Sequence, residues 1–162
     1  MDIRKYIRIP WRSIKEIEKK KERIESLASV HISREKNSNI FEIVGKDGIA
    51  VEKGYLMVQA ISLGFDLEDT KDLFEATDIK IINLKNYLSS KKAIIRQKSR
   101  IIGRKGLAKK KIEELGKCKI KIKGSKIGII AKTEDIDRVL KCIESLISGK
   151  PHGYAYKYLE KK

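Results

Sequence analysis

The chain has 162 residues, enough for one medium-sized domain or two small ones, and its 41% hydrophobic content can supply a core, which excludes disorder along the whole chain. Its 38 Lys and Arg residues exceed its 22 Asp and Glu residues, so the formal net charge is +16 and a polyanionic partner is expected, either nucleic acid or an anionic membrane. No apolar run approaches the roughly 18 residues of a membrane span, and the N-terminal segment lacks the apolar region of a signal peptide, so we expect a cytoplasmic protein without a membrane partner.

The first half of the chain is predicted to form a strand, helical material, two strands and a helix, at residues 6–9, 11–28, 30–33, 40–44 and 48–63. Pro10 suits the first turn of the helical segment, because its missing N–H would have no helical partner there. An acidic stretch at 67–76 follows, and its composition indicates a short helix or a linker.

The second half is predicted to run strand, helix, helix, strand, strand, helix, at residues 78–84, 91–101, 107–115, 119–123, 127–131 and 133–147. Leu107, Ala108, Ile112 and Leu115 are expected to share the buried side of the second helix, which Gly116 should end. After the last helix comes a tail, residues 151–162, with three tyrosines.

The two halves repeat each other. Residues 23–27 (RIESL) align with residues 111–115 (KIEEL) at an offset of 88. We therefore predict an α+β fold of two tandem copies, each β-α-α-β-β-α, rather than one larger domain. The predicted boundaries are a first copy, a linker, a second copy and a tail, at 1–66, 67–76, 77–150 and 151–162.

The positive charge concentrates in the second copy. Between Lys91 and Lys126 there are 15 Lys or Arg residues against two acidic ones, Glu113 and Glu114. Two glycines interrupt the predicted helices in the middle of this field, at the sequence Gly-Arg-Lys-Gly, residues 103–106. Missing side chains let a sugar-phosphate backbone approach the turn, and the amides that begin the next helix are anion ligands. The pattern indicates a phosphate-backbone clamp beside an apolar groove.

This arrangement resembles the KH domain, whose GXXG loop clamps about four nucleotides. Two isoleucines before the first glycine, Ile112 within the next helix and the following strand strengthen the resemblance, which implies a type I KH-like fold. The residues expected to bind RNA are Arg96, Lys98, Arg100, Ile101, Ile102, Gly103, Arg104, Lys105, Gly106, Lys109, Lys110, Lys119 and Lys121.

The first copy has no GXXG sequence at the equivalent place. At the offset of 88, Gly103 and Gly106 align with Lys15 and Glu18. A carboxylate would then lie where a phosphate should approach. We expect the first copy to act as a scaffold or a protein-docking surface, with nonspecific RNA contact as the alternative.

Over nearly its whole length the chain resembles the archaeal branch of the partner-of-NOB family of pre-ribosomal RNA processing factors. The resemblance rests on RQKSRIIGRKG at 96–106, on Lys109 three residues after the second glycine, and on the tail HGYAYKYLE. It implies a small-subunit assembly factor that binds single-stranded rRNA near the 3′ end and assists maturation of that end by the NOB-family endonuclease. The resemblance also implies the alpha subunit of initiation factor two as a further candidate partner.

Other classes fit the residues less well. The two histidines, His31 and His152, have no plausible nucleophile or ligand set beside them, and no phosphate-binding Walker loop or zinc spacing occurs. The acidic residues at 66–72 are expected to form a solvated helix face, and Cys118 and Cys142 to be packed free thiols. We expect no enzyme activity, cofactor or metal. The alternative function is that of a KH-domain translation or RNA-turnover factor that binds other single-stranded RNA.

Overall fold

A computed structural model gives the structure of residues 1–160; Lys161 and Lys162, the end of the predicted tail, lie outside the described residues. The chain divides into two compact units, Met1–Glu75 and the residues from Ala76 onward. Each unit carries one antiparallel three-stranded sheet.

The elements of the first unit are β1 (Ile3–Arg8), a 3-10 turn (Trp11–Ser13), α1 (Ile14–Ala28), β2 (His31–Arg34), β3 (Ile40–Gly45), α2 (Gly48–Ser62) and α3 (Leu67–Thr70). Its strands lie in the order β1-β3-β2. The inward-facing side chains of the strands alternate with polar ones, so Ile32, Phe41 and Ile43 are fully buried beneath the helices.

The prediction of two helices between the first and second strands is wrong for this unit. Only five residues separate Arg8 from Ile14, and three of them form the 3-10 turn. The buried residues of α1, from Ile14 through Ile17 and Ile24 to Ala28, form one continuous face, so nothing divides the helix. Lys15 and Glu18 consequently lie within the first two turns of α1.

The segment predicted as an acidic linker or short helix contains α3 and packs into the first unit. Leu67 and Leu73 are 5% and 1% exposed. Asp66 and Asp69 form a reciprocal capping box at the start of α3. Two carboxylates of the acidic segment therefore accept hydrogen bonds from the backbone of the helix.

The elements of the second unit are β4 (Thr77–Asn83), a 3-10 turn (Leu84–Asn86), α4 (Lys91–Ile102), a 3-10 turn (Arg104–Gly106), α5 (Leu107–Gly116), β5 (Cys118–Lys123), β6 (Lys126–Lys132), α6 (Ile136–Ile147), α7 (His152–Tyr156) and a 3-10 turn (Lys157–Leu159). The predicted β-α-α-β-β-α order is confirmed for this unit. Its strands lie in the order β4-β6-β5, so β5 is an edge strand.

The described part of the predicted tail, residues 151–160, contributes to the core of the second unit. Ala155 is 0% and Leu159 3% exposed, and both join the buried cluster formed by the inner faces of the sheet and of α4, α5 and α6. The tail therefore completes the packing of α6 instead of trailing from it.

The predicted buried face of α5 needs correction. Ala108, Ile112 and Gly116 face the core, whereas Leu107 and Leu115 are 62% and 39% exposed. A Cβ atom on Gly116 would lie 2.7 Å from Val139 Cγ2, so this glycine permits close packing against α6. Gly116 is the last residue of the helix, as predicted, but the residue in the left-handed conformation that caps it is Lys117, with φ 53°.

Candidate nucleic-acid interface

The turn between α4 and α5 places three of its four residues at positive φ. Gly103 has φ 77° and ψ 173°, Lys105 φ 55° and ψ 25°, and Gly106 φ 76° and ψ 10°. The first of these conformations is essentially restricted to glycine. Hydrogen bonds close the turn, from the N–H of Gly103 to the carbonyl of Ser99 at 2.8 Å and from the N–H of Gly106 to the carbonyl of Gly103 at 3.2 Å.

The two glycines have different steric surroundings. A Cβ atom on Gly103 would lie 2.7 Å from the backbone nitrogen of Ala108, in the first turn of α5. A Cβ atom on Gly106 would meet nothing within 4 Å. Gly103 is therefore needed for the chain to pass close to α5, and Gly106 leaves an open approach to the start of that helix.

The N-terminus of α5 is free to accept an anion. No side chain caps the helix at Gly106, and its first turn contains no acidic residue. The first backbone N–H groups of a helix lack partners within it and carry the positive end of its dipole. Arg104 and Lys105 are exposed in the adjoining turn. The geometry combines amide donors, two exposed cations and a steric opening, a combination suited to a phosphate.

The structure places most of the predicted site residues on or near the surface. Arg96, Lys110 and Lys119 are exposed with the two turn cations, and the half-buried members of the set are Lys98, Ile102, Lys109 and Lys121. Lys98 Nζ donates to the carbonyl of Gly124 at 2.8 Å, which ties α4 to the turn between β5 and β6.

Two predicted site residues, Ile101 and Arg100, make contacts that stabilise the fold of the second unit. Ile101 is 0% exposed and belongs to the core, so it anchors the turn from below. Arg100 donates from Nη1 to the carbonyl of Leu146 at 2.7 Å and from Nη2 to the carbonyl of Lys150 at 2.5 Å. Its guanidinium thus binds the carboxyl end of α6, where partial negative charge collects. The prediction that the Ile101 side chain contacts RNA directly is therefore wrong, whereas RNA contact by Arg100 stays a prediction.

A contact outside the predicted set fixes the end of α4 to the tail. His152 Nε2 lies 2.9 Å from the carbonyl oxygen of Arg100, and the histidine therefore donates. Lys111 Nζ lies 4.6 Å from the ring centroid of Tyr156, a cation–π contact between α5 and α7. The tyrosines of the tail indicate aromatic contacts in the sequence, but the partners of these rings are set by tertiary packing.

Charge divides sharply between the units. Residues 1–75 contain 14 Lys or Arg and 14 Asp or Glu, which leaves 24 basic and 8 acidic residues from position 76 onward. The whole net charge of +16 therefore belongs to the unit that carries the glycine turn. This distribution makes the second unit the more attractive of the two for a polyanion.

The cysteines do not contribute reactive groups. Cys118 and Cys142 are buried free thiols, and burial raises the pKa of each to about 12.

Within residues 1–160, no cluster of three or more His, Cys, Asp or Glu side chains is arranged to hold a metal ion. No helix in the same range is both long and apolar enough to cross a membrane.

Comparison with known proteins matches this geometry to a family. A model of the second KH domain of PNO1, described as a eukaryotic type KH-domain (KH-domain type I), matches residues 78–162. The chain is 31% identical over 118 residues to a KH domain-containing protein of Methanocaldococcus jannaschii, covering 72% of this chain and 52% of the relative. It is 32% identical over 117 residues to the pre-rRNA-processing protein pno1 of Aspergillus fumigatus, covering 69% of this chain and 46% of the relative.

The chain spans about half the length of these two relatives. A solved structure matches over nearly the whole chain: the crystal structure of an a/eIF2alpha-aDim2p-rRNA complex from Pyrococcus horikoshii OT3 contains a chain with a TM-score of 0.86 and 31% identity, over 99% of this chain and 93% of that one. The resemblance inferred from the glycine turn and its surroundings is confirmed, and the chain belongs to the PNO1/Dim2 family of KH-domain proteins.

Proposed function

We propose that this protein is a small-subunit assembly factor that binds single-stranded rRNA or pre-rRNA near its 3′ end and assists maturation of that end. The observation that carries the proposal is the uncapped start of α5 at Gly106, beside exposed Arg104 and Lys105, in the unit that holds the whole net charge. The pre-rRNA-processing name of the Aspergillus relative and the rRNA in the Pyrococcus complex support it.

The proposed RNA site is formed by the turn, the two helices that flank it and the edge strand β5. Phosphates would meet the turn and the start of α5, while bases would lie along the half-buried groove residues such as Ile102 and Lys121. No aromatic residue occurs between Lys91 and Lys126. Base recognition would therefore depend on fit to the groove and on hydrogen bonds to base edges, and not on ring stacking.

We propose that the first unit is a second KH-like domain that has no GXXG turn. Its sheet has the same strand arrangement as that of the second unit, and α1 runs without interruption through Lys15 and Glu18. Its charges balance, and several are paired: Glu18 lies 3.2 Å from Arg34 Nε. Such a unit suits a scaffold or a protein-docking surface better than a phosphate clamp.

The proposed partners are the rRNA, the NOB-family endonuclease and the alpha subunit of initiation factor two, in the cytoplasm. The first and last of these are supported by the name of the Pyrococcus complex, which contains a/eIF2alpha and rRNA. The a/eIF2alpha component of that complex favours the second candidate function, a translation factor that binds other single-stranded RNA. In either case the second unit would hold the RNA.

A double charge reversal in the turn tests the proposal. Arg104→Asp with Lys105→Asp, in the full chain, should abolish specific binding of a single-stranded RNA probe with the small-subunit 3′ sequence, while the fold is kept because both side chains are exposed. Lys15→Asp with Lys19→Asp, both exposed on α1, is the matched control and should leave affinity unchanged. Wild-type affinity in the folded turn variant would refute the site.

Sequencing of the RNA that copurifies with the tagged full chain separates the two functions. Reads concentrated in the 3′ region of the small-subunit rRNA are expected for an assembly factor. Reads spread over messenger or other RNA, and lost in the turn variant, would favour the translation or RNA-turnover factor instead.

A further inference from the structure

An acidic residue lies at the centre of the basic field, on the helix that begins at the glycine turn. Glu113 is half-buried on α5, and its Oε1 lies 3.4 Å from Nζ of Lys109, one helical turn earlier. A carboxylate in this place repels phosphate and neutralises a lysine of the proposed RNA site. Its presence needs a reason that outweighs this electrostatic cost.

The other carboxylate oxygen of Glu113 supplies that reason. Oε2 accepts a hydrogen bond from the backbone N–H of Ile120 at 2.9 Å. Ile120 lies in β5, whose outer edge has no neighbouring strand within the sheet. The side chain therefore joins α5 to β5, the helix and the strand that form two walls of the proposed groove, and it satisfies an edge amide that the sheet leaves unpaired.

The first unit contains the same bond in a different setting. Glu25 Oε2 accepts from the backbone N–H of Ile32 at 2.8 Å, and both residues stand 88 positions before their counterparts. The neighbour of this carboxylate is the imidazole of His31, whose Nδ1 lies 3.2 Å from Oε2. The bond to the edge strand is thus common to both units, whereas only Glu113 also restrains a lysine beside a glycine turn.

We propose that Glu113 is a positioning residue of the RNA site, an inference that rests on the function proposed above. Its carboxylate sets the spacing between α5 and β5 and holds Lys109 along the helix. Removal of both the charge and the acceptor oxygen makes the site more positive but leaves the groove less well ordered, and the loss of order outweighs the gain in charge.

Four substitutions in the full chain separate geometry from charge. Glu113→Gln removes the charge but keeps an oxygen that accepts from Ile120. Glu113→Ala removes both. Glu114→Ala removes an exposed charge next to the site and nothing else. Glu25→Ala breaks the equivalent bond in the first unit. Each is titrated with single-stranded RNA of the small-subunit 3′ sequence at several salt concentrations, and its unfolding is followed in urea.

Charge alone would make Glu113→Gln and Glu113→Ala equally tight binders, since both lose one negative charge. If Glu113 positions α5 and β5, the RNA affinities of the two variants should differ. The glutamine variant should bind more tightly than wild type, with a salt slope steeper by about 0.7 because Lys109 becomes a full phosphate ligand. The alanine variant should bind about fivefold more weakly than wild type, the equivalent of one ordinary hydrogen bond. Glu114→Ala should bind slightly more tightly, and Glu25→Ala should lose stability without losing affinity.

Equal RNA affinity of Glu113→Ala and Glu113→Gln would overturn the proposal. If the alanine variant does not fold, Glu113→Asp takes its place: it keeps the charge but is one methylene too short to reach Ile120, so we expect weaker binding and faster exchange of the Ile120 amide proton. Wild-type affinity in Glu113→Asp would also overturn the proposal. Failure of the proposed function has a different signature, because wild type would then bind no more RNA than the Arg104→Asp, Lys105→Asp variant.

Discussion

A Cβ atom on Gly103 would lie 2.6 Å from the Cβ of Ala108, closer than side chains approach in folded proteins. The same glycine has φ 77° and ψ 173°, a conformation that other residues adopt only under strain. Gly106, three residues later, has positive φ but open space around it. The two glycines of the turn therefore differ in what they contribute to folding.

We expect Gly103→Ala to destabilise the second unit by about 2–5 kcal/mol, through backbone strain and overpacking against Ala108. Gly106→Ala should cost only about 1–2 kcal/mol, the price of a left-handed residue with a side chain. Urea unfolding followed by far-ultraviolet circular dichroism measures both. Equal losses in the two variants would contradict the assignment of separate roles.

Lys105 also occupies the left-handed region, at φ 55° and ψ 25°. Lys105→Gly should relieve about 1 kcal/mol of backbone strain, offset in part by the greater freedom of glycine in the unfolded chain, so stability should be unchanged or slightly raised. RNA binding should weaken nevertheless, with a salt slope shallower by about 0.7, because one phosphate contact is lost. Lys105→Asn, which tolerates the same conformation, is the control for charge alone. A large loss of stability in the glycine variant would contradict the inference that the backbone at Lys105 is strained.

Arg100 should behave as a residue of the fold. Arg100→Ala loses the bonds to the carbonyls of Leu146 and Lys150, so we expect a loss of about 1–3 kcal/mol and faster proteolysis within residues 150–156. Arg96→Ala, which removes an exposed arginine one turn earlier on α4, should change stability by less than about 0.5 kcal/mol. Equal stability of the two variants would show that the bonds of Arg100 contribute nothing.

Alkaline pH should weaken the second unit through its two thiols. Burial raises the pKa of Cys118 and Cys142 from 9.0 to about 12. Between those values the unfolded chain releases the thiol protons and the folded chain retains them, so stability is full below pH 9 and falls as pH rises toward 12. Each thiol contributes a slope of at most about 1.4 kcal/mol per pH unit. Cys142→Ala should lessen the slope, measured by urea unfolding from pH 8 to 11. A slope unchanged by the substitution would contradict the assignment to this thiol.

The second unit was largely predictable from its sequence, because the signals that specify it are local. Isoleucine periodicity marks its strands and helices, and Gly103 and Gly106 mark the turn between α4 and α5. The rotation of α5 was harder to predict. Leu107 and Leu115 have the same hydrophobicity as buried residues, and only the close approach of Gly116 to Val139 shows which side of the helix meets the core.

Interactions between residues far apart in the chain could not be predicted from the sequence. The carbonyls that bind Arg100 lie 46 and 50 positions away, so a basic residue next to the glycine turn had every local attribute of a phosphate ligand. The number of helices in the first unit was mispredicted for another reason. Its repeat match begins at Arg23, well inside α1. Extending the same offset to earlier residues did not reveal that a 3-10 turn replaces a whole helix there.

The packing of residues 155–159 into the second unit sets the order in which the protein matures on the ribosome. The buried residues of the first unit run no further than Leu73, so that unit can fold while the remainder is being synthesised. The second unit includes Leu159 in its core and cannot complete its packing until that residue has been made. Until then the core beneath the basic segment around Gly103 lacks one of its members, whereas every buried residue of the neutral unit has already been made.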